Sequence, residues 1–283
     1  MRVLLARAGR ADVLAVLVTV LVAFGGLARA DDTDDRAINP AEPDFTVVTL
    51  PTTLRLPKHA LAFRLTHRFS RGLEQGDFGD LAADLFGFDG GAQVGLELRF
   101  GITAKTQFGV YRTSDRTLEL FAQQEIVSQG TSPVGVAAAL SVEGLDNFQK
   151  EYSPRLGLVV SRRAGTRAAF YAVPAWVGNT QLPPEIPGED DGTFLIGFGA
   201  RVRLGESAAL VAEANPRLAG FKGNRGGGDS GVQAAFGIEK RVGGHCFQLN
   251  FSNDLGTTPA QTARGRKGRR DWFLGFNLSR KFY

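Results

Sequence analysis

Trp272-Phe273-Leu274-Gly275-Phe276-Asn277-Leu278-Ser279-Arg280-Lys281-Phe282-Tyr283 is the last stretch of the chain. Trp272, Leu274, Phe276, Leu278 and Phe282 share one side of a period-2 pattern, and Gly275, Asn277 and Ser279 share the other. Successive side chains of a strand point to opposite faces, so this strand has an apolar face, a small or polar face and an aromatic end. Lipid on one side and a polar lumen on the other demand that pattern, and the stretch reads as the closing strand of an outer-membrane β-barrel. Phe282, rather than Tyr283, is in phase with the lipid face. Trp272, Phe276 and Phe282 are therefore the candidates for the lipid-facing girdle and for recognition during assembly.

The other end of the chain agrees. Residues 1–10 carry Arg2, Arg7 and Arg10, residues 13–24 are apolar apart from Thr19, and Ala28-Arg29-Ala30 follows. A basic start, a short apolar run and small residues at the cleavage positions make 1–30 a secretory signal peptide, cut before Asp31. The apolar run is too short to span a bilayer, which takes about 20 residues. Beyond residue 30 no apolar stretch approaches that length, so any membrane crossing uses strands.

Composition excludes other classes. The formal charge of +4 falls to about +1 when residues 1–30, with four Arg and one Asp, are removed. Bulk charge therefore gives no support to a nucleic-acid partner. The 36 Gly suit close-packed barrel strands and the 21 Phe suit lipid-facing girdles. Cys246 is the only cysteine, so there is no disulfide framework, and its role is a small filler. The sequence calls for no cofactor and no metal.

Alternation predicts twelve strands, at 60–69, 92–100, 104–112, 117–127, 134–143, 155–161, 168–177, 194–204, 208–214, 231–240, 247–252 and 271–282. Pro174 inside the seventh suggests a bulge or a strand end. The connections after the even-numbered strands are short, and those after the odd-numbered ones long, except the third-to-fourth at 113–116. Outer-membrane barrels have short periplasmic turns and longer external loops. The expectation is an all-β chain forming a single antiparallel transmembrane β-barrel of about 12 strands, an even count that puts both termini in the periplasm. Its parts are a signal peptide (1–30), a periplasmic N-terminal arm (31–59) and the barrel (60–283). Residues 45–56, with β-forming residues broken by Pro51, read as an edge segment or as a plug-like strap able to enter the lumen. A secreted β-sandwich is the runner-up.

Four segments carry a family resemblance: Leu56-Pro57-Lys58-His59-Ala60-Leu61-Ala62-Phe63-Arg64-Leu65-Thr66-His67-Arg68-Phe69; Phe86-Gly87-Phe88-Asp89-Gly90-Gly91 continuing through Leu98-Arg99-Phe100-Gly101-Ile102-Thr103; Gly243-Gly244-His245-Cys246-Phe247-Gln248-Leu249-Asn250-Phe251-Ser252-Asn253; and Gly275-Phe276-Asn277-Leu278-Ser279-Arg280-Lys281-Phe282. Together they resemble an uncharacterised family of bacterial membrane-bound β-barrel proteins, over nearly the whole mature chain. Tyr283 follows the aromatic that normally ends the pattern. The resemblance implies an outer-membrane barrel, and it implies no activity and no catalytic residues.

Few residues invite chemistry. His59 and His245 fall at the periplasmic rim, and His245 adjoins Cys246. Neighbours on a strand point to opposite faces, which argues against a Cys–His metal site or dyad. His67 with Ser70 is the one candidate for a barrel hydrolase, but no acid partner is evident.

Lumen parity gathers Arg64, Arg68, Arg99, Lys105, Arg201 and Arg203 with Glu97, Glu119, Glu125 and Glu239. A basic excess around a narrow pore favours anions, whereas mutual Arg–Glu pairing closes it. Arg264, Arg266, Lys267, Arg269 and Arg270 in the last long loop are the candidates for contact with lipopolysaccharide phosphates. The leading expectation is a narrow porin-like channel for small solutes, weakly favouring anions, in the outer membrane of a Gram-negative bacterium. Its expected partners are outer-membrane lipid and the barrel assembly machinery. The alternatives are a non-conducting structural or partner-binding barrel, with a periplasmic protein as a candidate partner, and, behind that, an outer-membrane lipid hydrolase.

Overall fold

The computed structural model describes residues 38–181, 190–221, 231–265 and 271–282. The expected signal peptide, Arg266, Lys267, Arg269, Arg270 and Tyr283 lie outside them.

The wall consists of β1 (Leu61–Phe69), β2 (Ala92–Gly101), β3 (Thr106–Thr113), β4 (Leu118–Val127), β5 (Gly135–Gly144), β6 (Lys150–Ala164), β7 (Ala168–Gly178), β8 (Gly192–Arg203) and β9 (Ala208–Asn215), then β11 (Gln233–Val242), β12 (His245–Ser252) and β13 (Phe273–Phe282). The short β10 (Arg217–Gly220) continues β9 past Pro216 and pairs with the start of β8. Each wall strand pairs antiparallel with the next, β9 passes to β11, and β13 closes on β1 through Leu61↔Phe282 to Arg68↔Gly275. The protein is thus a closed twelve-stranded antiparallel barrel with one extra strand. The β1–β2 loop carries a short helix, α1 (Phe78–Ala83), capped by the Asp77 side chain.

Burial broadly alternates along the wall strands. In β1, Ala62, Arg64, Thr66 and Arg68 are buried toward the lumen, while Leu61, Phe63, Leu65 and His67 face out. Leu96, Phe108, Leu140, Leu156, Phe170, Phe198, Phe236 and Leu249 are exposed on the outer face, as lipid contact requires. The turns after β2, β4, β6, β8 and β11 crowd one end, with the start of β1 and the end of β13. The longer connections lie at the other end.

Three details differ from the sequence expectation. β6 begins at Lys150, well before 155, because Pro154 is accommodated in the ladder opposite Val142. Pro174 neither ends nor bulges β7. The register is the same at Gly157↔Ala175 and Val160↔Ala172, and only the pairings between them lapse, as a residue without an N–H dictates. Lys105 is exposed in the β2–β3 turn, one residue before β3, and so does not line the lumen.

Candidate functional site

The lumen is occupied from both ends. The described part of the expected N-terminal arm turns inward from the short-turn mouth and forms a hairpin. Val47 N donates to Leu50 O at 2.8 Å, Thr52 N donates to Phe45 O at 2.9 Å, and Thr46 bridges Pro51. Pro51 has no N–H to extend the ladder, so the hairpin stays short. Phe45, Val47, Val48, Leu50 and Leu56 are each at most 4% exposed.

One side of the hairpin is apolar. Ala41, Val47, Val48 and Leu50 form a single cluster with Ala137 and Ala139 of β5, Val159 of β6, Ala169, Tyr171 and Val173 of β7, Val211 of β9 and Ala235 of β11. The small residues on the inner face of β5 therefore make room for the hairpin. Gly197 and Gly199 of β8 do the same for Leu50: a Cβ at Gly197 would stand 2.2 Å from Leu50 Cδ1, and one at Gly199 2.8 Å from Cδ2.

The other side is polar, for an accounting reason. Buried backbone groups must find partners, and the hairpin has no wall strand beside it to supply them. Wall side chains do so instead. Arg201 Nη2 donates to Thr46 O (2.8 Å), Gln248 Nε2 to Val47 O (2.6 Å), Asn277 Nδ2 to Val48 O (3.0 Å) and Gln123 Nε2 to Thr52 O (2.8 Å). Gln107 donates to Leu54 O at 3.0 Å and accepts from Leu56 N at 3.1 Å. At the tip, the Glu213 carboxylate accepts from Val48 N (2.9 Å), Thr49 N (3.0 Å), Leu50 N (2.9 Å) and the Thr49 hydroxyl.

The long-loop end is filled by the chain between β12 and β13. Its helix α2 (Pro259–Arg264) buries Ala260, Thr262 and Ala263, with Thr258 as N-cap. Arg68 Nη1 donates to Asp254 O and Gly256 O, both at 2.9 Å. Glu143 receives Arg264 Nη1 at 2.6 Å and the Thr258 hydroxyl. Between this loop and the hairpin a cavity of about 50 Å³ remains, bordered by Thr49, Arg64, Tyr111 and Thr257. A larger one of about 450 Å³ opens at the short-turn mouth beside Glu42, Arg55, Gln129 and Arg163. There, burial raises the Glu42 carboxyl above the ordinary range, against the opposing pull of Thr53 and of Arg163.

Among the lumen candidates, Arg64, Arg68, Arg99, Arg201, Glu97, Glu119 and Glu239 are buried inside. Glu97 joins Arg64 and Arg99, each at 2.8 Å, and Arg201 meets Glu239 at 2.9 Å. The Arg99 guanidinium lies 4.6 Å from the centroids of both the Phe45 and Phe121 rings. Arg203 and Glu125 sit at the short-turn rim: Arg203 donates to Thr166 O and Glu206 O, and Glu125 pairs with Arg55 at 3.0 Å. Arg264, expected on the outer surface, is turned inward onto Glu143.

Trp272 packs edge-on against Phe236, Phe276 stacks on His67, and Phe282 carries the Arg280 guanidinium at 5.2 Å, all on the outer face. His245 accepts from Arg280 at 2.8 Å while Cys246 is buried, so the two point apart. His67 lies among Phe69 and Phe276, and Ser70 donates to Gly91 O, which leaves the hydrolase pair unassembled.

Sequence reasoning placed Asn277 on the polar face without singling it out, and did not name Glu213, Glu143, Gln107 or Gln248 as site residues. Glu213 had a signal: it is the one charged residue in the apolar run 208–214 and shares parity with Ala209 and Val211.

A closed wall with an apolar outer belt and a charged interior defines a membrane-spanning barrel. The chain belongs to the family described as "Membrane bound beta barrel domain (DUF5777)", whose model matches residues 44–282. No curated protein matches it. Among solved structures it is similar in fold to the NanC porin (8% identity, TM-score 0.50, covering 79% of this chain and 99% of that one). Weaker likenesses include the KdgM porin (7% identity, TM-score 0.48, covering 79% and 99%) and the COG4313 outer membrane channel from Pseudomonas putida F1 (12% identity, TM-score 0.48, covering 81% and 98%).

Proposed function

We propose that the protein is a narrow outer-membrane channel for small solutes, held shut at rest by the hairpin at 44–53. The short-turn end, where the hairpin enters, faces the periplasm of a Gram-negative cell, and Phe282 serves assembly. One observation carries the reading: the wall closes on itself without the hairpin. The hairpin is held by side chains and an apolar seat, so its departure breaks no strand pairing and opens the short-turn end of a lumen ringed by Arg64, Arg68, Arg99, Arg201, Glu97, Glu119 and Glu239; conduction also takes a swing of the loop carrying α2, which closes the other end. The porin-like fold is compatible with this role. The filled lumen favours the second reading, a non-conducting structural or partner-binding barrel.

Planar-bilayer recording separates the two. Wild type is expected to show rare openings, and Leu50→Ala, which empties the seat on Gly197 and Gly199, frequent ones. Folded barrels, checked by heat-modifiable migration, that pass no current in either form overturn the channel. Neutralising Arg201 is expected to weaken anion preference in the open state.

A further inference from the structure

The tip of the hairpin is built as an anion receptor. Three consecutive backbone N–H groups, at Val48, Thr49 and Leu50, and the Thr49 hydroxyl converge on one carboxylate. Successive N–H groups pointing into one concavity make an anion-binding nest. Its occupant, Glu213, is 5% exposed and makes no ion pair among the described residues. Those four donors supply the hydrogen bonds that its carboxylate receives among the described residues.

We propose that this nest is a binding site for carboxylate-bearing solutes, which compete with Glu213 for the hairpin tip and so release it. The proposal rests on the reading of the hairpin as a displaceable part, and it names the solute class. A free carboxylate offers the tip the same two oxygens that Glu213 does. A ligand that binds only the released hairpin draws the equilibrium toward release. The wall also holds a cation for the displaced Glu213. Arg68 is fully buried, lies within electrostatic reach of Glu213, and has Nε and Nη2 without hydrogen-bond partners.

Cys246 supplies a native reporter. It lies on the lumen-facing parity of β12 and is 1% exposed, and Gln248, two positions along the same face, donates to Val47 O of the hairpin at 2.6 Å. A water-soluble maleimide should reach it only after the hairpin leaves. The test measures the Cys246 labelling rate of the full-length barrel in detergent, in sodium acetate against sodium chloride at matched ionic strength.

In wild type, acetate is expected to accelerate labelling several-fold by capturing the tip. Glu213→Ala is expected to label at least tenfold faster than wild type in chloride. Acetate should slow this variant, because the ion fills the vacated carboxylate position. Opposite signs in the two proteins are the signature of a shared site. Wild-type labelling rates in Glu213→Ala, or acetate and chloride acting alike in both proteins, overturn the proposal. Should Glu213→Ala lose heat-modifiable migration, Glu213→Gln replaces it: faster labelling than wild type supports the latch, and an unchanged rate overturns it. The readout is hairpin position, so a barrel that carries no current still tests the receptor.

Discussion

The hairpin at 44–53 and the loop carrying α2 close one lumen from opposite ends, by different means. The hairpin is gripped on two sides, by an apolar cluster from β5, β6, β7, β9 and β11 and by side chains that satisfy its backbone. The loop is anchored chiefly by charge: Arg68 on two carbonyls, and Glu143 on Arg264 and Thr258. Two small apolar residues of the loop, Ala260 and Ala263, also pack against Ala175, Val177 and Leu195. Burial of large aliphatic side chains is harder to undo than a few hydrogen bonds, so the hairpin is the firmer closure and the loop the looser one.

The largest effect should come from the apolar side. Leu50→Ala removes the side chain seated on Gly197 and Gly199, at about 3 kcal/mol for a buried leucine. Cys246 labelling should rise by one to two orders of magnitude while the loop becomes no more mobile than in wild type. Next is Arg68→Gln, whose amide keeps a donor for one of the two carbonyls, Asp254 O and Gly256 O, so that about 1.5–3 kcal/mol of charge-assisted bonding is lost. A spin label at Thr257 should become mobile in that variant, and Cys246 should stay protected. If Arg68→Gln exposes Cys246 as strongly as Leu50→Ala does, the two closures are one cooperative unit and the contrast fails. Glu143→Gln should loosen the loop less, because Arg264 keeps its bond to Ser153 Oγ at 2.7 Å. The same label reports it.

The smallest effect concerns pH at the mouth. Burial raises the Glu42 carboxyl in the docked state. A carboxyl whose docked value exceeds its released value binds its proton more tightly when docked. Its contribution is therefore full below the released value and fades as pH rises through the docked one. Hairpin docking should weaken slightly with rising pH over that window. Glu42→Gln should flatten the profile, measured as Cys246 labelling relative to a small free thiol.

The wall was largely legible in the sequence because each strand is lipid-facing on one parity and lumen-facing on the other, a period of two that survives strand by strand. Residues 44–53 were harder. Their pattern of β-formers around Pro51 suits an edge strand as well as a plug, and only the three-dimensional match of Leu50 to Gly197 and Gly199 decides between them. The inward fold of Arg264 was not legible for a related reason: a basic residue beside other basic residues reads as a solvated loop until Glu143, 121 positions away, is found beneath it. Glu213 was visible as a lone charge, but its partners are backbone N–H groups, which leave no trace in residue identity.

Everything proposed for the hairpin turns on its being a movable plug in a complete barrel. Leu50→Cys and Gly197→Cys in a Cys246→Ser background allow a short, cleavable thiol cross-link to fix the hairpin in its seat. Single-channel recording of the same protein before and after cleavage reads the plug directly. A movable plug gives silence while the link is intact and openings once it is cut. Equal conductance in the two states, or none in either from a folded barrel, would rule the movable plug out.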